Sequence, residues 1–369
     1  MLAETVYQNR METVRKVLER ANADFAIITP SPAYQYLTGT HYVMKERLVA
    51  LVIPRKSNVQ IIAPSFEVSD QKRHTWIDDF IPWSEDEDPY QILADTLGKK
   101  NDGHSVMFDG SLPLGVFWSI ETAVGRFQST SSISKTLEEM RLVKSDEEIE
   151  LMKRAGKVID AVFSEVFSKM QIGMTESEVS QLVNSTITRH NAVPTFAVVL
   201  FGENSALPHA DSGNRELRKG DQILMDCGCS LGGYNTDMTR NAVVGEPSDE
   251  HELVHSLLIR AQESAIEKLK PGLACGAADG IARKVIEEAG YGEYFTHRLG
   301  HGIGLQIHEP PYLVRGNSLE LRAGMTHSVE PGIYMEGKFG VRMEDLVCIR
   351  DDGAELLTFA SKELYSVED

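Results

Sequence analysis

The sequence predicts an α+β protein in two parts. A smaller mixed α/β domain spans residues 1–135, and a larger domain spans residues 145–369. Three observations carry this. Short runs rich in Val and Ile alternate with helical segments before residue 135. After residue 145 the order long helix, second helix, hairpin occurs twice, at a spacing of about one hundred residues. Each of those hairpins carries two acids predicted to face each other, Asp226 with Asp237 and Glu330 with Glu344. Like charges opposed across a strand pair destabilise it, so a cation is expected between them.

The elements follow in order. The first twenty residues are charged and amphipathic, with Val14, Val17 and Leu18 on one helical face. Phe25–Ile28, Leu48–Ile53, Val59–Ile62 and Val106–Phe108 read as strands, with turn composition at Pro54–Asn58 and an acidic loop at Ser84–Pro89. A helix is expected near 113–125, then a Ser/Thr-rich connector at Ser129–Ser134, with the domain boundary near 135–144. Ser145 and Glu148 fit a capping box opening a helix over 145–170; Thr175 and Glu178 fit another. Gly232-Gly233 marks a hairpin over 222–244. Helices over 249–269 and about 276–289, the latter capped by Gly290, lead to a second hairpin over 326–349.

Composition narrows the function. The formal charge of −18 argues against nucleic acid, whose phosphates need a basic footprint. No apolar run approaches the ~20 residues of a membrane helix, and the N-terminus lacks the apolar core of a signal peptide. A cytoplasmic protein is expected. Cys227 and Cys229 form a C-x-C without a second pair, so they, with Cys275 and Cys348, read as small buried residues rather than a zinc site.

The acids define a candidate centre. A turn centred at Leu231-Gly232 puts Asp226 across from Asp237, with Cβ atoms about 4.5–5.5 Å apart. Glu330 and Glu344 are symmetric about Gly337. Between the pairs, Gly300-His301-Gly302-Ile303-Gly304 offers a nitrogen ligand in a loop whose glycines permit close backbone approach. His301 and His308 are seven residues apart, unlike the helical pair of a zinc protease. Four carboxylates and one imidazole favour two hard divalent ions, Mn²⁺ first, with Co²⁺, Fe²⁺ or Zn²⁺ also accommodated. Two such ions about 3.5–4 Å apart suit amide hydrolysis.

At these residues the chain resembles the proline-specific pita-bread metallopeptidases, the family of Xaa-Pro dipeptidase (prolidase) and aminopeptidase P. The matching segments are MDCG and DMTR within 225–240, GHGIGLQIHEPP at 300–311, SVEPGIY at 328–334 and GVRMEDLV at 340–347. Tyr36-Leu37-Thr38-Gly39 is similar to a phrase of the family's smaller, creatinase-like domain. The resemblance implies that Asp226 and Asp237 bind one ion, and that Asp237 and Glu344 bridge to a second completed by His301 and Glu330. It implies a bridging hydroxide as nucleophile, with Glu330 passing its proton to the departing proline nitrogen. His209 and His308 would hydrogen-bond the substrate and the tetrahedral oxyanion. Arg342 would orient the carboxylates and Tyr334 would lie near the substrate. The expected substrates are proline-containing dipeptides or short peptides. A homodimer is expected, with His41 a candidate to reach the partner's pocket.

One stretch departs from the family. Many of its dipeptidases carry an arginine shortly after the second histidine, to grip the substrate's terminal carboxylate. Here Glu309-Pro310-Pro311-Tyr312-Leu313-Val314 intervenes before Arg315, which is the substrate-binding candidate in its place. The leading expectation is an Xaa-Pro dipeptidase, and the alternative is an aminopeptidase P acting on longer peptides. A metal-free creatinase-like amidinohydrolase and a catalytically dead binding module are both disfavoured by the complete set of five ligands.

Overall fold

The computed structural model describes residues 2–208 and 210–368, and the chain divides into two compact units, Met1–Arg141 and Leu142–Asp369. The first unit carries one six-stranded mixed sheet. Its strands are β1 (Phe25–Ile28), β2 (Ala50–Pro54), β3 (Gln60–Pro64), β4 (Phe80–Trp83), β5 (His104–Phe108) and β6 (Phe127–Ser132), in the order β4-β3-β2-β1-β5-β6. Its helices are α1 (Glu4–Arg20), α2 (Pro32–Thr38), α3 (Ser65–Gln71), α4 (Pro89–Leu97), α5 (Leu114–Val124) and α6 (Ser134–Leu142). Helix α1 buries Tyr7, Met11, Val14 and Leu18, a spacing of three and four that forms one apolar stripe. The sequence expectation fails at Ser129–Ser134. This stretch is not a connector: most of it is edge strand β6, paired in parallel with β5. A solvent-facing edge accepts hydroxyl side chains that a buried strand would not, and this hid the strand from composition.

The second unit repeats one plan. Helices α7 (Asp146–Phe167) and α8 (Glu176–Arg189) precede strands β7 (Val193–Phe201), β8 (Gln222–Leu231), β9 (Tyr234–Asn235) and β10 (Met238–Val244). Helices α9 (Asp249–Ile266) and α10 (Cys275–Glu288) precede β11 (Gly300–Gly302), β12 (Glu309–Leu313), β13 (Thr326–Val329), β14 (Gly332–Met335), β15 (Phe339–Arg342), β16 (Asp345–Arg350), β17 (Gly353–Leu356) and β18 (Tyr365–Val367). Capping boxes open α7 at Ser145, α8 at Thr175 and α9 at Ser248. The helix-to-helix loops match in detail. Gly173 and Gly272 both have positive φ, 90° and 86°, and each precedes an isolated bridge, Thr175 to Glu216 and Ala274 to Glu320. Each helix pair seals its own apolar core. Ile159, Val162, Phe163 and Val183 pack with Val199, Ile223 and Met225, whereas Leu257, Leu258, Ala278 and Ala282 pack with Leu313, Val329 and Val347.

The hairpin registers decide where the acids fall. In the first, Gly232 and Gly233 both take positive φ, 58° and 87°, so the two-residue turn is centred on them and not on Leu231-Gly232. Asp226 therefore pairs with Thr239 and is diagonal to Asp237, which corrects the expected direct opposition. In the second, Val329 lies opposite Asp345 and Gly332 opposite Arg342, one register symmetric about Gly337. Ladder pairing lapses between those pairs, and the lapse contains Glu330 and Glu344. Among the described residues, no helix is long and apolar enough to cross a membrane.

Candidate metal centre

The predicted ligands converge. Single ligand atoms of Asp226, Asp237 and Glu344 lie within 4.8 Å of one another, and so do those of His301, Glu330 and Glu344. Asp237, Glu344 and His301 are buried, and Asp226 and Glu330 are partly so. His301 is held by its neighbours. A Cβ on Gly300 would stand 2.1 Å from the Ser328 carbonyl oxygen, and one on Gly302 would stand 2.2 Å from that of Pro310. Only glycine on both sides lets this strand pass. With its proton on Nδ1, His301 donates to the Gly302 carbonyl at 3.1 Å, which leaves the Nε2 lone pair facing Glu330 Oε1 at 3.2 Å and Asp237 Oδ2 at 3.7 Å.

The electrostatics of the set call for cations. Burial, then the facing carboxylates, pushes Asp237 and Glu344 well above the ordinary carboxyl range. Burial also opposes ionisation of Glu330, but contact with His301 and the nearby Arg342 guanidinium offset it and bring that carboxyl down to about 2. Asp226 Oδ1 and Asp237 Oδ1 are buried without a hydrogen-bond partner among the described residues. Buried carboxylate oxygens left unpaired are costly, and divalent ions would satisfy them. The donor set therefore fits the two ions that the sequence implies, and the absence of thiolates favours hard metals.

A chain of side chains backs the candidate ligands. Arg342 donates through Nη2 to Asp226, through Nε to Thr239 Oγ1 at 2.9 Å and through Nη1 to the Tyr334 hydroxyl at 2.8 Å. Thr239 in turn donates to Glu344 Oε2 at 2.7 Å. The Tyr334 hydroxyl donates to His297 Nε2 at 2.9 Å, and His297 Nδ1 meets the Arg298 carbonyl at 2.7 Å. Burial lowers His297 and raises Tyr334 to about 12, so the first stays a neutral acceptor and the second a donor. Arg342 is 6 % exposed and is thus no surface salt bridge. Such partners fix ligand orientation.

A cavity of about 700 Å³ opens onto the candidate ligands, lined also by Phe196, Val198, Ile307, His308, His297 and Arg298. His308 packs edge-on to His301, with ring centroids 4.1 Å apart. Two expected substrate contacts fall elsewhere. Tyr334 does not line the cavity, because its hydroxyl is committed to Arg342 and His297 behind the ligands. Arg315 is exposed and pairs with Glu287 at 3.3 Å, away from the cavity lining. His209 lies outside the described residues. In the first unit, His41 is exposed and contacts Gln35 Oε1 at 3.1 Å. All four cysteines are buried and none forms a disulfide. Arg298 and His297 escaped sequence reading. They precede the short strand of His301 in a loop with no period to mark which side chains turn inward.

Comparison with known proteins gives this arrangement its class. Metallopeptidase family M24 matches residues 150–351, and the creatinase/prolidase N-terminal domain matches residues 10–143. The chain is 33 % identical over 361 residues to Xaa-Pro dipeptidase of Lactobacillus helveticus, covering 96 % of this chain and 98 % of that one. A crystal structure of recombinant prolidase from Thermococcus sibiricus superposes with a TM-score of 0.91 at 34 % identity, covering 98 % and 99 % of the two chains. The X-Pro aminopeptidase of Thermotoga maritima superposes with a TM-score of 0.87 at 31 % identity, covering 97 % and 99 %. The fold and the matches define a hydrolase of the metallopeptidase class. The chain belongs to metallopeptidase family M24, with a creatinase-type N-terminal domain.

Proposed function

We propose that the protein is an Xaa-Pro dipeptidase whose chemistry resides in residues 145–369. The observation that carries the dipeptide reading is Arg298. Its guanidinium lies 4.7 Å above the Tyr312 ring and lines the cavity, and it has no ion pair or side-chain hydrogen bond among the described residues. A dipeptide brings one free carboxylate to a cavity whose other ionisable groups serve mainly as metal ligands, and an unpaired guanidinium suits that carboxylate. Tyr312 occupies the stretch where the resembling dipeptidases carry an arginine; here it supports one.

Asp226, Asp237, His301, Glu330 and Glu344 would hold two divalent ions, with Mn²⁺ proposed from the four oxygen donors. When bound, the ions supply Lewis acidity and an activated water. Glu330 takes a proton at its carboxylate and delivers it to the departing proline nitrogen. His308 hydrogen-bonds the developing oxyanion, and His209 is assigned a substrate contact from its sequence position. Phe196, Val198 and Ile307 supply apolar walls for the two side chains. Four buried free thiols suit a reducing, cytoplasmic compartment, and a homodimer is proposed on the family resemblance.

Arg298→Gln is expected to lower kcat/KM for Ala-Pro by about 10–100-fold, the worth of a charge-assisted hydrogen bond. The same variant should change turnover of Ala-Pro amide, whose carboxylate is masked, by less than about threefold. Equal losses on the two substrates would remove Arg298 from carboxylate recognition. Steady-state assays on Ala-Pro and on an Xaa-Pro-Xaa tripeptide decide the wider question. Tripeptide cleavage with negligible dipeptide turnover would replace the dipeptidase reading by aminopeptidase P.

A further inference from the structure

Gln262 lies on α9, is completely buried, is not among the residues that line the cavity, and among the described residues hydrogen-bonds no candidate ligand side chain. Its Nε2 donates to the carbonyl oxygens of Val329 at 3.0 Å and Met343 at 3.2 Å. Those carbonyls belong to the peptide units whose nitrogens are Glu330 and Glu344. The N–H of Glu330 donates to the Leu299 carbonyl at 2.8 Å, and that of Glu344 reaches the Thr239 carbonyl at 3.4 Å. Gln262 thus grips, from the oxygen side, both peptide units that carry acids of the second hairpin.

The need for such a grip is visible in the sequence. The shared register of the two hairpin ladders places Pro331 opposite Met343. In an antiparallel ladder every second opposed pair exchanges two hydrogen bonds, and the bond from Met343 marks this pair as one of them. Met343 donates its N–H to the Pro331 carbonyl at 3.1 Å, but proline has no N–H to return. The Met343 carbonyl would be left unpaired at the point where Glu330 and Glu344 face each other. Gln262 Nε2 fills that vacancy.

Two further observations separate this from ordinary packing. Gln262 Oε1 is buried without a hydrogen-bond partner among the described residues, a cost that an apolar side chain at this position would avoid. The matching position of α7, counted from the helix-opening capping serines, is Ile159, fully buried in the apolar core. The first hairpin has no proline beside its acids, and there a hydrocarbon suffices.

We propose that Gln262 is a positioning residue for the metal centre. Its amide supplies the hydrogen bond that Pro331 cannot make and so fixes the carboxylates of Glu330 and Glu344 relative to each other. This rests on reading both acids as metal ligands. The test is a competition titration of the metal-free full-length protein with Mn²⁺ against a chromophoric chelator, beside thermal melts of the metal-free forms. Wild-type protein that binds no stoichiometric Mn²⁺ refutes the ligand reading itself.

With wild-type binding established, Gln262→Met is expected to weaken Mn²⁺ affinity about 10–100-fold while the metal-free melting temperature shifts little, since an orphaned oxygen leaves with the amide. Pro331→Ala restores an N–H opposite Met343, so in that background the loss from Gln262→Met should shrink to less than about threefold. Unchanged affinity in Gln262→Met, or an equal loss with and without Pro331, overturns the proposal. If the methionine variant does not fold, Gln262→Leu removes the same donor with a smaller apolar side chain and is held to the same comparison.

Discussion

Replacing Glu330 by Gln is expected to abolish most turnover while leaving the fold intact. The carboxylate has two tasks in the proposed chemistry, and the amide performs neither well. Its Oε1 faces His301 Nε2 at 3.2 Å and accepts from Ser328 Oγ at 2.9 Å, so the side chain is already aimed at the ligand cluster. An amide oxygen is a weaker ligand than a carboxylate oxygen, and an amide cannot take up and return a proton at neutral pH. Loss of proton transfer alone is worth roughly 10²–10⁴-fold in rate. Weaker metal binding adds to that unless the assay is saturated with metal. The check is kcat for Ala-Pro at saturating Mn²⁺, beside circular dichroism and Mn²⁺ stoichiometry. A variant that keeps kcat within about threefold of wild type would remove Glu330 from the chemistry. A variant that loses both ions along with activity would leave ligation, and not proton transfer, as its main task.

Much of this was legible in the chain because the relevant physics is local. The capping boxes at Ser145 and Thr175 announced their helices through three-residue spacing, and both form. The symmetry of Glu330 and Glu344 about Gly337 followed from the alternation of strands, and the register honours it. Asp226 and Asp237 tested the same logic harder. The choice between a turn at Leu231-Gly232 and one at Gly232-Gly233 moves the pairing by two residues, which keeps both acids on one face but trades Asp237 for Thr239 opposite Asp226. That exchange is informative, since Thr239 links Glu344 to Arg342.

What escaped the sequence depends on contacts between distant segments. Arg298 is separated from Tyr312 by the turn between β11 and β12, and nothing in the intervening residues shows that its guanidinium stacks there. Tyr334 drew attention by its place four residues after Glu330, yet the chain through His297 and Arg342 holds its hydroxyl behind the ligands. Gln262 lies more than sixty residues before the acids it supports, and its significance appears only beside the missing N–H of Pro331.

Removal of metal is expected to end turnover and to lower stability by an amount that grows with pH. Ions that bind only the folded chain stabilise it by mass action, about 4 kcal/mol at a thousand times Kd, which for a unit of this size moves the melting temperature by roughly 10 °C. The pH dependence comes from the acids left facing one another. In the metal-free protein Asp237 and Glu344 sit well above their ordinary values of 3.8 and 4.5, through burial first and neighbouring carboxylates second. Between those ordinary values and the raised ones, the folded chain holds protons that the unfolded chain has released. Stability of the metal-free form from these two groups is therefore full below the ordinary values and declines as pH rises toward the raised ones. In the loaded form the same carboxylates are ionised against cations, and because binding releases their protons, affinity strengthens with pH. The two melting temperatures should accordingly diverge between about pH 5 and pH 8, the metal-free value falling relative to the loaded one. Acids elsewhere in the chain titrate alike in both forms and cancel in the difference. Thermal melts of chelated and Mn²⁺-saturated protein across that range provide the measurement. A gap that stays constant or narrows would mean that the four carboxylates do not share the buried, mutually repelling site on which the two-metal reading stands.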